Sequence, residues 1–348
     1  YGDDSIGELG GAHLAIENVS MIATKVLEDA RIGGSPLEKS TRYVYFGEKH
    51  EGDFRFYKEP TLLASRHGER YLATCRMLFE TYRDLLAPLT AYVERAAPRP
   101  PDASQEAWRR SVRARVYDAL RGLLPAAALT NMGLYGNGRF YETLLLRLQA
   151  APLAELRTLG RAMFEELAKL IPSFIRRADP AHPHFGQSRA YQEALAAWLA
   201  QPEPAGRAAP SAAGARPARD GAEPASGAEL LDWDPHAPAK VLAALAYPQT
   251  AQPLEALRAT AARLPAEQQA QRLAALAALR GNRRHKPPRA LELAGYTFDL
   301  LGDFGMYRDL HRHRMLTQQR QSLSTRHGYE LPEEVRAAGL QAPFAAAM

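Results

Sequence analysis

The triplet Arg312-His313-Arg314, followed after seven intervening residues by Ser322, is the part of the sequence best suited to chemistry. Arginine presents a planar fork of N–H donors that matches phosphate and carboxylate oxygens two at a time. Histidine adds a ring that hydrogen-bonds or stacks. At the end of a helix, adjacent side chains point about 100° apart. The three would fan out to grip separate parts of one large anion, with the Ser322 hydroxyl joining from the following loop. The plainer alternative is that the cations complement the partial negative charge of a helix C-terminus. A basic turn, Gly281-Asn282-Arg283-Arg284-His285-Lys286, admits either a ligand role or a solvated loop. His311 reads as a packing or capping residue. The one cysteine, Cys75, excludes an internal disulfide and a cysteine metal cluster, and reads as a small buried apolar group. His50, His67, His182 and His184 lack metal-ligand spacing with carboxylates. Asp3-Asp4 suits a capping turn better than a metal, so no metal site is expected.

The elements that must position these residues follow from hydrophobic spacing. Alternating Ala12, Leu14 and Ile16 predict a short strand, and Met21 to Leu27 a helix, broken by Gly33-Gly34-Ser35-Pro36. Leu37 to Glu59, rich in Tyr and Phe, is a loop or strand region. Leu72, Leu78, Phe79, Tyr82 and Leu85 predict a long helix over about 66–96, ended by Pro98, Pro100 and Pro101. Further helices are predicted near 105–123, 138–148 and 153–170. Three short helical segments lie between about 237 and 280. Tyr296-Thr297-Phe298 is a candidate strand, and 303–314 a helix carrying the triplet, with Arg308 and Arg312 side by side on one face. The stretch 201–228 is dominated by Ala, Pro and Gly and buries too little apolar area to offset its ordering entropy. It predicts a flexible linker between domains at 1–200, with a core of 1–180, and 229–348. The class expected is α+β, predominantly helical with a small sheet in each domain.

Composition sets the outer limits. The 348 residues are 46% hydrophobic and 24% charged, ordinary for a globular protein of two domains. No apolar run approaches the roughly 18–20 residues of a membrane-spanning helix, and a cytoplasmic location is the default expectation. A net charge of +5 suits anionic ligands such as nucleotides and folates. It is too dispersed to favour a nucleic-acid partner, which usually meets a concentrated basic face. The first residue is not Met, and a natural chain longer at both ends is expected.

Taken together, Arg312-His313-Arg314 with Ser322, the strand Tyr296-Thr297-Phe298, the upstream His285 and Glu292 resemble the signature region of the flavin-dependent thymidylate synthase family over about 40 residues. The first domain resembles that family independently. Tyr1-Gly2-Asp3-Asp4-Ser5 is similar to its Gly-His-x-Ser/Thr turn. Asp29-Ala30-Arg31 stands where Arg-His-Arg belongs, and Ser40-Thr41-Arg42-Tyr43 matches its Ser-x-Arg-Tyr. Arg121-x-x-Leu124-Pro125 with Thr130, and Asn137-Gly138-Arg139, match its later motifs. The resemblance implies a tandem, partly degenerate two-copy member whose second copy stops before any Leu-Pro stretch. In the first copy Asp3 replaces the flavin-binding His, only Arg31 of the triplet survives, and one extra residue precedes Ser40. In the second, Ser322 is followed by Leu323-Ser324 rather than x-Arg-Tyr. Asn131 replaces the arginine of the family's Thr-Arg.

What the resemblance implies chemically is FAD-dependent methylation of dUMP to dTMP, with NADPH and methylenetetrahydrofolate as co-substrates. His285, Arg312, His313, Arg314 and Arg31 would bind the cofactor. Ser40, Arg42, Tyr43, Ser322, Arg121 and Arg139 would bind the substrate, and no residue is assigned as nucleophile. The losses in the two copies are complementary, which suggests one composite site between them and a dimer forming a pseudo-tetramer. A flavin- or nucleotide-binding member without synthase activity is the alternative within the family. A basic nucleic-acid-binding module is the alternative outside it.

Overall fold

The computed structural model describes residues 4–30, 32–200 and 227–348. Arg31 and Asp3 therefore lie outside the described residues, as does the expected linker apart from Gly227 and Ala228, which begin a strand. The chain divides into two compact units, one of Tyr1–Pro224 with Asp303–Met348 and one of Ala225–Gly302. The sequence pattern groups 229–348 as one body, whereas the contacts return its last 46 residues to the first unit. The physical reason lies in what those residues bury: Val335 and Phe344 are 0% and 1% exposed inside the first unit's core.

The first unit is built on a three-stranded antiparallel sheet of β1 (Gly11–Ser20), β2 (Gly34–Glu38) and β5 (Leu129–Asn137), with β5 in the centre. Its first helix is α1 (Met21–Glu28). Between β2 and β5 the chain forms a small hairpin, β3 (Lys49–His50) and β4 (Asp53–Phe54), a single turn α2 (Pro60–Leu63), then α3 (Gly68–Ala96) and α4 (Gln105–Leu120). After β5 come α5 (Gly138–Gln149), α6 (Ala154–Ala168) and α7 (Pro183–Leu199). The second unit holds β6 (Gly227–Trp233), α8 (Ala237–Ala246), α9 (Leu254–Ala262), α10 (Ala266–Ala278) and β7 (Tyr296–Leu301), with β6 and β7 paired antiparallel. The chain re-enters the first unit through α11 (Phe304–Leu310), α12 (Glu333–Ala337) and α13 (Gln341–Ala347). This is the expected α+β class, mostly helical with small sheets.

Two cores hold the first unit. Helix α3 presents Cys75, Phe79, Tyr82, Leu85, Leu89 and Val93 along one stripe, all buried against Val112, Val116 and Leu120 of α4. That three-to-four-residue spacing is what an amphipathic helix requires. The second core sits on the sheet, where Ile16, Met132 and Leu134 meet Leu27 of α1, Leu144 and Leu148 of α5, and Leu167 of α6. Side-chain caps set the helix starts: Ser20 Oγ accepts from the Ala23 N–H at 3.1 Å, Asn137 Oδ1 from Phe140 at 2.9 Å, and Asp303 Oδ1 from Met306 at 2.7 Å. Gly33 turns the chain from α1 into β2 at φ +89°, and a Cβ there would also lie 2.9 Å from Asn137 Oδ1. A bulge in β1 places Asn18 at φ 57°, and Asn131 Oδ1 accepts its N–H at 3.0 Å. Asn131, which stands where a phosphate-binding arginine is expected, thus has a structural task. No helix among the described residues is long and apolar enough to cross a membrane.

Candidate functional site

Helix α11 ends at Leu310, with His311 as its C-cap. The expected helix over 303–314 is therefore shorter, and Arg312-His313-Arg314 lie on the turns beyond it, where the His313 N–H returns to the Leu310 carbonyl at 3.0 Å. Arg312 is exposed and pairs with Asp309; His313 is exposed; Arg314 donates to the Gly34 carbonyl at the start of β2. Arg308 and Arg312 do not share a face as expected. Arg308 turns inward, with its side chain only 11% exposed.

That inward turn completes a buried network that the motifs did not reveal. The Glu38 carboxylate at the end of β2 accepts from Thr24 Oγ1 at 3.0 Å and Lys25 Nζ at 2.9 Å, and pairs with Arg308 at 3.1 Å. Lys25 also pairs with Glu28, and Arg308 donates to Thr41 Oγ1 at 3.0 Å. His311, buried, sets Nδ1 2.9 Å from the Arg308 carbonyl and Nε2 2.5 Å from Glu28 Oε2. A carbonyl only accepts, so Nδ1 carries a hydrogen. Contact between Nε2 and a carboxylate oxygen then requires a proton between them. Burial pushes the Glu28 carboxyl up, but the His311 hydrogen bond and the Lys25 ammonium outweigh it and hold it below its ordinary value. Charged groups this deeply buried survive only when paired in this way. Beneath them, Glu155 accepts from the Ser20 N–H at 2.7 Å and hydroxyl at 2.6 Å, pinning α6 to the start of α1. Burial raises the Glu155 carboxyl despite those bonds.

Next to Thr41 lies a cluster of cations. Arg42 Nε and Arg121 Nε approach the same Asp118 oxygen, at 3.2 and 3.1 Å. Ser40 Oγ accepts the Arg42 N–H at 3.2 Å. Burial lowers the Arg121 guanidinium below its ordinary value; Asp118 and Asp303 oppose that, and the nearby Arg42 and Arg308 add to it. Arg121 rests on α11 at Gly305, where a Cβ would stand 2.9 Å from its Nε. Tyr43 is 70% exposed and lines an open cleft of about 410 Å³ with Arg110, Ser111, Arg113 and Ala114. Three guanidinium groups thus lie around one end of β2, Arg42 and Arg121 sharing Asp118 and Arg308 paired with Glu38.

Of the residues expected to bind ligands, Ser40, Arg42 and Arg121 come together here, beside α11. Arg314 meets the other end of β2. Arg139 pairs with Glu8 at 2.7 Å just past the end of β5 that adjoins Gly34, while the Lys39 N–H meets Asn131 near the opposite end. A strand's length of about 3.3 Å per residue keeps Arg139 away from Ser40. Ser322 is exposed. His285 belongs to the second unit, where its Nδ1 accepts the Gly281 N–H at 3.1 Å and closes the basic turn. Asp4 pairs with Arg177. Cys75 is buried, and burial pushes its thiol up. No group of His, Cys, Asp and Glu among the described residues is arranged to hold a metal.

A small antiparallel sheet flanked by helices, with Arg42 and Arg121 gathered where α11 from the chain's far end meets the end of β2, defines an α+β scaffold. The model of the family described as thymidylate synthase complementing protein matches residues 1–173. A UPF0159 protein of Chlamydia muridarum is 46% identical over 350 residues, covering 100% of this chain and 64% of that protein. One of Chlamydia pneumoniae is 45% identical with the same coverage. UPF0159 protein Ta1429 of Thermoplasma acidophilum is 31% identical over 356 residues, covering 95% of this chain and 67% of that protein. Among solved structures, thymidylate synthase X of Helicobacter pylori with FAD and dUMP matches 47% of this chain and 73% of its own, at 19% identity and a TM-score of 0.30. Through residues 1–173 the chain belongs to the thymidylate synthase complementing protein family, its whole length is related to the UPF0159 proteins, and it spans about 64% of the length of the two chlamydial relatives.

Proposed function

We propose that this protein is a flavin-dependent thymidylate synthase, using FAD, NADPH and methylenetetrahydrofolate to convert dUMP to dTMP at a site shared between its two copies. The observation that carries this reading is the convergence of Ser40, Arg42 and Arg121 from the first copy with α11 of the second, which leads directly into Arg312-His313-Arg314. In this reading Arg42 and Arg121 take the dUMP phosphate, displacing part of their contact with Asp118, and Tyr43 borders the pyrimidine in the open cleft. The donor set suits the cofactor: Arg312 and His313 are exposed rather than committed to the core, and guanidinium forks match a pyrophosphate. Bound flavin would supply the hydride chemistry, while the chain's residues bind, orient and neutralise developing charge. The buried Cys75, its thiol held protonated, is unsuited to nucleophilic attack. A dimer of chains forming a pseudo-tetramer, and a cytoplasmic location, belong to the same proposal.

A second reading, binding without synthesis, draws on one observation. Asp29, at the first position of the first copy's triplet, is spent on an ion pair with Arg320. The two readings separate by assay. The synthase reading requires flavin retention together with dUMP-dependent NADPH oxidation and dTMP formation. Flavin retention without turnover supports the second, and a protein that binds neither flavin nor dUMP refutes both.

A further inference from the structure

The segments leading into the two triplet positions align without a gap: Ser20 with Asp303, Lys25 with Arg308, Leu27 with Leu310, Glu28 with His311 and Asp29 with Arg312. Past the extra residue before Ser40, which aligns with Ser322, Glu38 falls opposite Arg320. The local structures agree. Ser20 and Asp303 each cap a short helix by accepting the N–H three residues on. At three of these positions the first copy is acidic where the second is basic: Glu28 and His311, Asp29 and Arg312, Glu38 and Arg320.

All of these residues but Arg312, which pairs with Asp309, take part in ion pairs between the two segments, and Arg308 joins them. Glu28 meets His311, Asp29 meets Arg320, and Glu38 meets Arg308 at 3.1 Å. The first contact pairs equivalent positions, so it marks the place where an approximate two-fold relation between the segments would pass. If two first copies met in this arrangement, Glu28 would face Glu28 and Asp29 would face Glu38, with Lys25, already shared by Glu28 and Glu38 within each copy, as the cation at the seam. If two second copies met, His311 would face His311 and Arg320 would face both Arg312 and Arg308. Like charges so placed, partly buried, oppose association.

We propose that this exchange of charge is a pairing code: the first-copy face of Glu28, Asp29 and Glu38 accepts the motif segment of the second copy and rejects another first copy. An ancestral self-pairing surface has thereby become a two-sided one. The inference rests on reading the segments as copies and is independent of flavin or dUMP binding.

The test is charge exchange in the whole chain, read by hydrogen exchange of peptides covering α1 and α11. H311E sets two carboxylates together and E28H sets two imidazoles together; each should lower protection of α11 by about tenfold or more, and E28H/H311E should restore most of it. At the more exposed Asp29–Arg320 pair, D29R and R320D should each weaken protection, and D29R/R320D should recover it; this set carries the test if the buried variants fail to fold. Recovery in the exchanged pairs, measured as non-additive coupling, supports the code. Strictly additive losses, or single variants indistinguishable from the parent, overturn it.

Discussion

Replacing Glu38 by alanine isolates the contact that ties α1, β2 and α11 together. Its carboxylate receives Thr24 at 3.0 Å and Lys25 at 2.9 Å and pairs with Arg308 at 3.1 Å, with side-chain exposures of 6% for Lys25, 9% for Glu38 and 11% for Arg308. Without it, among the described residues, Lys25 keeps only Glu28, and the Arg308 guanidinium keeps only the Thr41 hydroxyl and the Met21 sulfur. Removing one partner of a buried ion pair costs about 3–5 kcal/mol, because the remaining charge stays desolvated. Glu334, paired with half-exposed Arg115 at 2.9 Å, is the control. Its removal should cost about 0–1 kcal/mol. Urea unfolding of Glu38→Ala, Glu38→Gln and Glu334→Ala, with hydrogen exchange at α1 and α11, measures the difference. Loss of protection should extend to α11, which lies far from Glu38 in sequence. A Glu38→Ala variant no less stable than Glu334→Ala would refute the claim that this network docks α11.

Other outcomes follow from the same geometry. Arg42→Ala and Arg121→Ala should each weaken dUMP binding by a charge-assisted contact, about 1.5–3 kcal/mol, seen by calorimetric titration. Arg312→Ala should cost a similar amount in flavin affinity without lowering stability, since Arg312 is exposed. Ser20→Ala should destabilise by more than the roughly 1 kcal/mol of an ordinary cap, because Glu155 loses a buried donor; Ser104→Ala, a solvent-exposed cap, serves as the comparison in thermal unfolding. The folded-state pKa of Glu28 lies below its ordinary 4.5, so its stabilising contribution is complete above that value and declines as pH falls through the folded pKa. Glu28→Gln should remove that part of the acid sensitivity in unfolding experiments across this range.

Helices α1, α3, α4, α5 and α6 were legible because each carries a continuous apolar stripe that only a 3.6-residue period explains. The central strand β5 was not. It alternates correctly, burying Thr130, Met132, Leu134 and Gly136, but Asn131, Gly133 and Gly136 blur the pattern and leave few β-favouring side chains. The membership of 303–348 was hidden for another reason. Composition predicts a linker at 201–228, but says nothing of a segment that leaves a unit and returns to it. Within the candidate site, Ser40, Arg42 and Arg121 were proposed from motifs, and the structure brings them together. Lys25, Glu28, Glu38 and Arg308 were not, because an acid three residues from a lysine on a helix usually signals an exposed pair, and burial depends on a neighbour nearly 300 residues away. The alignment of Lys25 with Arg308 and Glu28 with His311 was the available clue.

The most direct test of a shared flavin and nucleotide site is to purify the protein with FAD and follow dTMP formation from dUMP, methylenetetrahydrofolate and NADPH, in the parent and in Arg42→Ala and Arg312→Ala. Retained flavin and dUMP-dependent dTMP formation, lowered in both variants at limiting dUMP and FAD although one residue lies in each copy, is the result expected. Turnover at the parental rate in either variant at limiting dUMP and FAD, or a folded protein that takes up neither FAD nor dUMP, would contradict it.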